Sequence, residues 1–296
     1  MSEEKVGEET VKRGSFYSRH KKLCRVLGVV VAVILLFAIF FGPIIRVCVE
    51  QVVPAAIGVP VDIGGISVNL FTGNIGVRDI KVGDSKGLNA EHFVTIKRVD
   101  VKLYRGWAEV KDILIANPAG FKEPYILELK HARVDLEPET LTAPKLGIEE
   151  VLVTGLDLYY EPQVSGKNNI DKLQEYVIET FKITESKEAP KEAQKLQIDE
   201  LRLTDIDVHT VVLGQRLTLP VVPVELDDLG EGPEGITGGE VFLAVLDKLS
   251  LGAGTAIKDS AKTLGAGTAK LFDDVGTQSK KGVDSLKNLF KSPGKK

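Results

Sequence analysis

Residues 66–88 (ISVNLFTGNIGVRDIKVGDSKGL) and 99–121 (VDVKLYRGWAEVKDILIANPAGF) repeat one another. At one fixed offset, Ile66 aligns with Val99, Val68 with Val101, Leu70 with Leu103, Gly73 with Gly106 and Val77 with Val110. The match continues through Asp79/Asp112, Ile80/Ile113, Val82/Ile115 and Gly87/Gly120. A tandem unit of this kind cannot bury its apolar side alone and must stack on its neighbour. A shorter signature, apolar–any–acid–apolar–any–apolar, recurs at 77–82 (VRDIKV), 110–115 (VKDILI), 148–153 (IEEVLV) and 198–203 (IDELRL). The last two copies extend into a longer match, IEEVLVTGLDL (148–158) with IDELRLTDIDV (198–208). Apolar steps of three and then two do not fit a flat strand, so the pattern predicts a bulge at Asp79, Asp112, Glu150 and Glu200. Lying in separate repeats, these acids are expected along a sheet edge. They do not form the convergent pair, about 5–9.5 Å apart, that carboxylate catalysis uses.

From 59 to 225 the texture is short strands. Period-2 alternation is clear at 94–96, 99–103, 126–129 and 217–219, with Gly and Pro punctuating the runs. One helix interrupts them, at 169–181, where Ile170, Leu173, Val177 and Phe181 share a face. The expectation is a mainly β fold: a repeat-built antiparallel sheet, forming a groove or a sandwich, with one inserted helix.

Residues 26–45 (VLGVVVAVILLFAIFFGPII) carry no charge and are long enough to cross a bilayer core of about 30 Å as a helix. Arg19, Lys21, Lys22 and Arg25 precede this run, and only Arg46 follows closely. The positive-inside rule then keeps 1–25 in the cytoplasm as a leader and exports the rest. The run exceeds a signal-peptide core, and 53–56 (VPAA) is a poor cleavage site, so it reads as an uncleaved signal anchor. The chain is thus expected in an inner membrane, single-pass, with a periplasmic β domain over 50–240. Cys24 and Cys48, the only two cysteines, flank the span and cannot pair within one chain.

Four histidines (His20, His92, His131, His209) and two cysteines supply a metal site poorly, and 38 basic against 42 acidic residues do not make a nucleic-acid binder. No nucleophile elbow, zinc helix or phosphate loop is present. Gly265–Lys270 lacks the frame of the last of these. The reading is of a non-enzyme without metal or cofactor.

The order of features resembles the AsmA-like family of bacterial envelope proteins, in a short, single-domain form. An anchor is followed by strand–turn–strand units such as VNLFTGNIGVRDIKVGD. Ile115–Phe121 (IANPAGF) is similar to the family's Asn-Pro-small-Gly-Phe turn. IEEVLVTGLDLYYE (148–161) is followed by Asn168-Asn169-Ile170-Asp171-Lys172-Leu173, where an Asn opens a helix, and by LPVVPVELDDLGEGPEGIT (219–237). The resemblance spans about 25–245. It implies a curved β-groove with an apolar inner face that binds or passes phospholipid and influences outer-membrane biogenesis. Candidate lining residues are Val68, Leu70, Val101, Leu103, Val134 and Leu136, which either face an open groove or fill a closed core. The alternative is a structural protein recruiting an envelope partner through exposed sheet edges.

The tail, 241–296, changes texture. An 11-residue period aligns Phe242, Ala253, Leu264, Val275 and Leu286, with Ala261 and Phe272 in a second row and Leu246 and Ile257 in a third. That period keeps the rows on one face of a nearly straight helix. With lysines flanking the stripe, Phe242, Ile257, Leu264, Phe272, Val275 and Leu286 are candidates for a membrane-surface face. Capping of the groove, a helix packed on its own domain and a disordered tail are the alternatives.

Overall fold

A computed structural model of the protein describes residues 59–264, apart from 70, 141–142, 164–166, 181–194 and 213–214. The expected anchor over 26–45 lies outside the described residues. Among the described residues, no helix is long and apolar enough to cross a membrane.

Nine described strands form one sheet: β1 (Val61–Asn69), β2 (Asn74–Val82), β3 (Val94–Lys102), β4 (Trp107–Ala116), β5 (Tyr125–Leu136), β6 (Lys145–Tyr160), β7 (Lys195–Val212), β8 (Gln215–Val221) and β9 (Val224–Leu229). They lie in sequence order from β1 to β8, with β9 also on β7. Two helices complete the fold, α1 (Asn169–Thr180) and α2 (Gly238–Leu264). The fold is mainly β, as expected, and the inserted helix falls where its apolar spacing put it.

The repeats are the architecture. β1–β2 and β3–β4 are the two copies of the 66–88/99–121 unit, set side by side through the β2–β3 pairing. The longer match becomes an in-register parallel pair, Ile148 beside Ile198 and Leu158 beside Val208. This is the one departure from an antiparallel sheet among the described pairings. Its cause is the crossover through α1, which returns the chain to the start of β6 rather than to its end.

Both helices begin in capping boxes. Asn168 Oδ1 accepts from the Asp171 N–H (2.9 Å), and the Asp171 carboxylate accepts from Asn168 Nδ2 (2.7 Å). At α2, Thr237 N donates to Glu240 Oε2 (2.7 Å) and Glu240 N to Thr237 Oγ1 (3.3 Å). α2 packs on α1, β7, β8 and β9. Its buried stripe is Leu243, Leu246, Leu249, Ala253 and Ile257, and α1 contributes Ile170, Leu173 and Val177. Gly252 allows the close approach to β8, since a Cβ there would stand 2.8 Å from Val221 Cγ1. The core lies between these helices and strands β4–β9.

Candidate functional site

The register links the apolar residues of all the strands into four continuous rows. One row is Val61, Val82, Val94, Ile115, Leu127, Leu158, Val208 and Leu219, and the next is Ile63, Ile80, Ile96, Ile113, Leu129, Leu156, Ile206 and Val221. A third runs Ile66, Val77, Val99, Val110, Ala132, Val153, Leu203 and Val224, and a fourth Val68, Ile75, Val101, Ala108, Val134, Val151, Leu201 and Leu226. No row contains a polar side chain.

Between the second and third rows every strand takes an apolar step of three instead of two. The ladder is interrupted there along one line: Gly64, Asp79, Lys97, Asp112, Lys130, Gly155 and Asp205 are skipped in the pairing. Asp79, Asp112, Gly155 and Asp205 have φ between 52° and 73°, in the left-handed region. A single such residue turns two successive side chains to the same side, as Arg78 and Asp79 show by both being exposed. On β2, β4, β6 and β7 the apolar side chains therefore stay on one face across the break, while the facing residues Gly64, Lys97 and Lys130 are not left-handed. Asp and Gly supply this backbone because Gly lacks a Cβ and Asp tolerates the left-handed region. β8 and β9 fit the same scheme as one edge strand broken at Val222-Pro223, opposite Asp205.

The expected bulges at Asp79 and Asp112 are therefore real interruptions, but without a register shift. The third and fourth copies lie five residues later than the sequence suggested, at Val153–Leu158 (VTGLDL) and Leu203–Val208 (LTDIDV). Glu150 and Glu200 are themselves paired and share Arg202, with Arg202 Nε 3.0 Å from Glu200. The residue before each, Glu149 and Asp199, is skipped in the pairing, with a register shift against β5 at Asp135/Leu136, so a second interruption lies one residue from the expected position. The acids do not line an edge either, because Asp79, Asp112 and Asp205 run across the middle of the sheet.

The opposite face is polar. Arg98 donates to Asp100 (2.9 Å) and Arg133 to Asp135 (2.7 Å), with the Arg133 guanidinium 4.8 Å from the centre of the Trp107 ring. The Arg98 guanidinium holds the Asp100 carboxyl below its ordinary range, and Lys111 does the same to Glu109. On this face His209 Nε2 meets Asp157 (2.8 Å), its Nδ1 meets the Thr218 hydroxyl (3.0 Å), and its ring stacks on Tyr159. The contact ties β6, β7 and β8 together.

Of the expected lining residues, Val68, Val101 and Val134 lie in the fourth row, and Leu136 is half-buried beside it. Leu103 instead sits in a 3-10 turn, Leu103–Arg105, and is 37% exposed. Leu70 lies outside the described residues. The rows are treated differently along their length. Leu127, Leu156, Leu158, Leu203, Ile206 and Val208 are closed over within the helix-bearing core. Ile66, Val68, Ile75, Val77, Val99 and Val101 are half-buried and outside that core cluster.

The tail candidates divide. Ile257 is 2% exposed within the core, and the Phe242 ring lies edge-on to Phe93 at 6.4 Å. The face of α2 expected to meet lipid therefore meets the protein's own sheet and helix, because Leu243, Leu246 and Leu249 cover the apolar rows of β7–β9. Leu264 ends α2 and its side chain is outside the described residues, as are Phe272, Val275 and Leu286.

The residues of the Asn-Pro turn and of the helix opening meet in one buried network that spacing alone could not reveal. Asn117 donates to Glu123 O (3.0 Å) and to Glu161 (3.0 Å), and accepts from Asn169 Nδ2 (3.2 Å). Glu161 also accepts from the Lys122 N–H (2.8 Å) and the Glu123 N–H (2.9 Å). The network clamps the β4–β5 loop to the end of β6 and the start of α1, so its role is structural. Compared with known proteins, the chain matches no protein-family model and no curated protein.

Proposed function

We propose that the chain is a non-enzymatic, membrane-anchored periplasmic protein of AsmA type. It binds lipid acyl chains on the apolar sheet face, helps transfer them, and so influences outer-membrane biogenesis. The observation that carries this reading is the set of apolar rows, unbroken by a polar side chain, that passes from the helix-covered strands onto the half-buried strands β1–β3. Such a face offers acyl chains dispersion contacts and removal from water at about 25 cal/mol per Å². Eight strand positions at about 4.8 Å spacing make a surface about 34 Å wide. That is enough to hold a lipid and short for a bridge between two membranes, so a holder or one module of an assembly fits best.

The test compares lipid retained by the full chain and by Val101→Asp after identical detergent washing, using native mass spectrometry. Lipid held around the anchor is common to both. The reading expects at least one phospholipid fewer in the variant, with the β-sheet circular dichroism and a cooperative melt retained, and equal lipid content would sink it.

A second reading is recruitment of an envelope protein by strand addition at β1. It is favoured by a difference between the sheet's ends: β8 carries Pro220 within the strand, which blunts an edge, whereas β1 has no proline within it.

A further inference from the structure

The tips of the two repeat hairpins carry the most exposed aromatic side chains among the described residues. Phe71 is 86% exposed in the β1–β2 turn and Tyr104 is 69% exposed in the β3–β4 turn, each following a leucine at the repeat offset, Leu70 and Leu103. The turns are joined, for the Leu103 N–H donates to Gly73 O (2.9 Å) and the Tyr104 ring packs over Gly73, where a Cβ would come within 2.6 Å of it. The next turn along the same end of the sheet, Pro138–Thr140, is polar and acidic instead. An exposed aromatic repeated at equivalent positions in both hairpins is not a scattered surface residue.

We infer that these two tips dock in the interfacial layer of a lipid bilayer, with Phe71 and Tyr104 as the inserted side chains. The inference rests on the lipid reading above and adds its point of contact.

Three observations favour lipid as the occupant. The first is backbone chemistry. The Phe71 and Thr72 N–H groups both donate to Asn69 Oδ1 (3.1 and 3.2 Å), the Leu103 N–H is taken by Gly73 O, and the Gly106 N–H by Leu103 O (3.3 Å). The turns therefore enter a poorly hydrated layer without bringing these donors in unpaired. The second is side-chain order. The rings are followed by Thr72 and Arg105, so an apolar or aromatic tip is rimmed by groups suited to headgroup level, Arg105 to phosphate. The third is continuity. The fourth apolar row begins at Val68, Ile75 and Val101, directly inside these turns, so lipid leaving the bilayer at the tips meets the proposed cradle without crossing a polar barrier. Two small tips also fall short of the roughly 800 Å² per partner that a specific protein interface buries.

The experiment places a photo-crosslinking phenylalanine analogue at position 71, 104 or 222 of the full chain, reconstituted in phosphatidylcholine vesicles. Val222 is an exposed apolar control on the sheet edge, 78% exposed. Phospholipid adducts at 71 and 104 are expected at least tenfold above those at 222. Phe71→Ser is expected to lower the adduct at 104 about tenfold, the loss of one inserted phenylalanine, without changing the melting temperature. Adducts equal to those at 222, or adducts to protein in place of lipid, would overturn the inference. The two readings fail separately: tip adducts that persist while Val101→Asp leaves bound lipid unchanged sink the cradle alone. Background adducts with a lipid-depleted Val101→Asp sink the tips alone.

Discussion

The strands β1–β3 and the strands β5–β9 are built from the same rows of apolar side chains, yet in the first group only Ile63 of those rows is fully buried, while most row positions of the second are. Leu156, Leu158 and Val208 are at most 1% exposed beneath the helix-bearing side of the fold and Val153 is buried, whereas Val99, in the same row as Val153, is half-buried. The difference lies in what covers the rows and not in the strands. α1 fills the crossover between the parallel strands β6 and β7, and α2 follows β9, so both helices fall on the later strands. The same repeat thus makes a core in one place and a half-buried apolar face in another.

Truncation should expose this contrast most strongly. Leu246→Ala removes a fully buried side chain from α2, and urea unfolding should show a loss of about 2–5 kcal/mol. Val99→Ala should cost about 1 kcal/mol or less in the same assay, since its site is already half-open. Equal losses would mean that the two regions are closed alike.

Glu161→Gln tests the clamp between the β4–β5 loop and α1. Removing the charge from an acceptor of two backbone N–H groups and the Asn117 amide should cost about 1.5–3 kcal/mol. Gly155→Ala tests the interruption of the ladder that both regions share. At φ 73°, with Lys130 Cδ 2.9 Å from an added Cβ, it should cost about 1–2 kcal/mol, chiefly from the left-handed backbone. The lysine end can move aside.

The smallest effect is a pH slope of opposite sign in the two regions. Burial raises the Asp171 carboxyl in α1, so its contribution is complete below the ordinary value near 3.9 and is lost as pH rises through the raised value. Asp100 and Glu109 are lowered by Arg98 and Lys111. Their contribution is present above the ordinary carboxylate range and is lost as pH falls. Urea melts across pH 3–7 should show that Asp171→Asn removes a decline on the rising side, whereas Asp100→Asn removes one on the acid side.

Much of this was readable from the chain. The offset between 66–88 and 99–121 set the hairpin pairing, and the spacing of Ile170, Leu173 and Val177 set α1. The steps of two, three and two are present in every strand, from Val61-Ile63-Ile66-Val68 to Leu219-Val221-Val224-Leu226. They were recognised only where an acid marked them. Gly155 hid the third copy because it reaches the left-handed region without a carboxylate, and Val222-Pro223 hid the last. Asn117, Glu161 and Asn169 were not legible as a network, since nothing local links positions so far apart.

The sequence alone determined the strands, their repeat and the single apolar face. Side-chain periodicity and the left-handed tolerance of Asp and Gly are local properties of the backbone. Only the tertiary structure decided where that face is covered. The stripe of Leu246 and Ile257 is equally suited to a bilayer or a sheet, because the hydrophobic effect has no direction. The apolar rows of β7–β9, brought beneath α2 by the parallel crossover, made it part of the core.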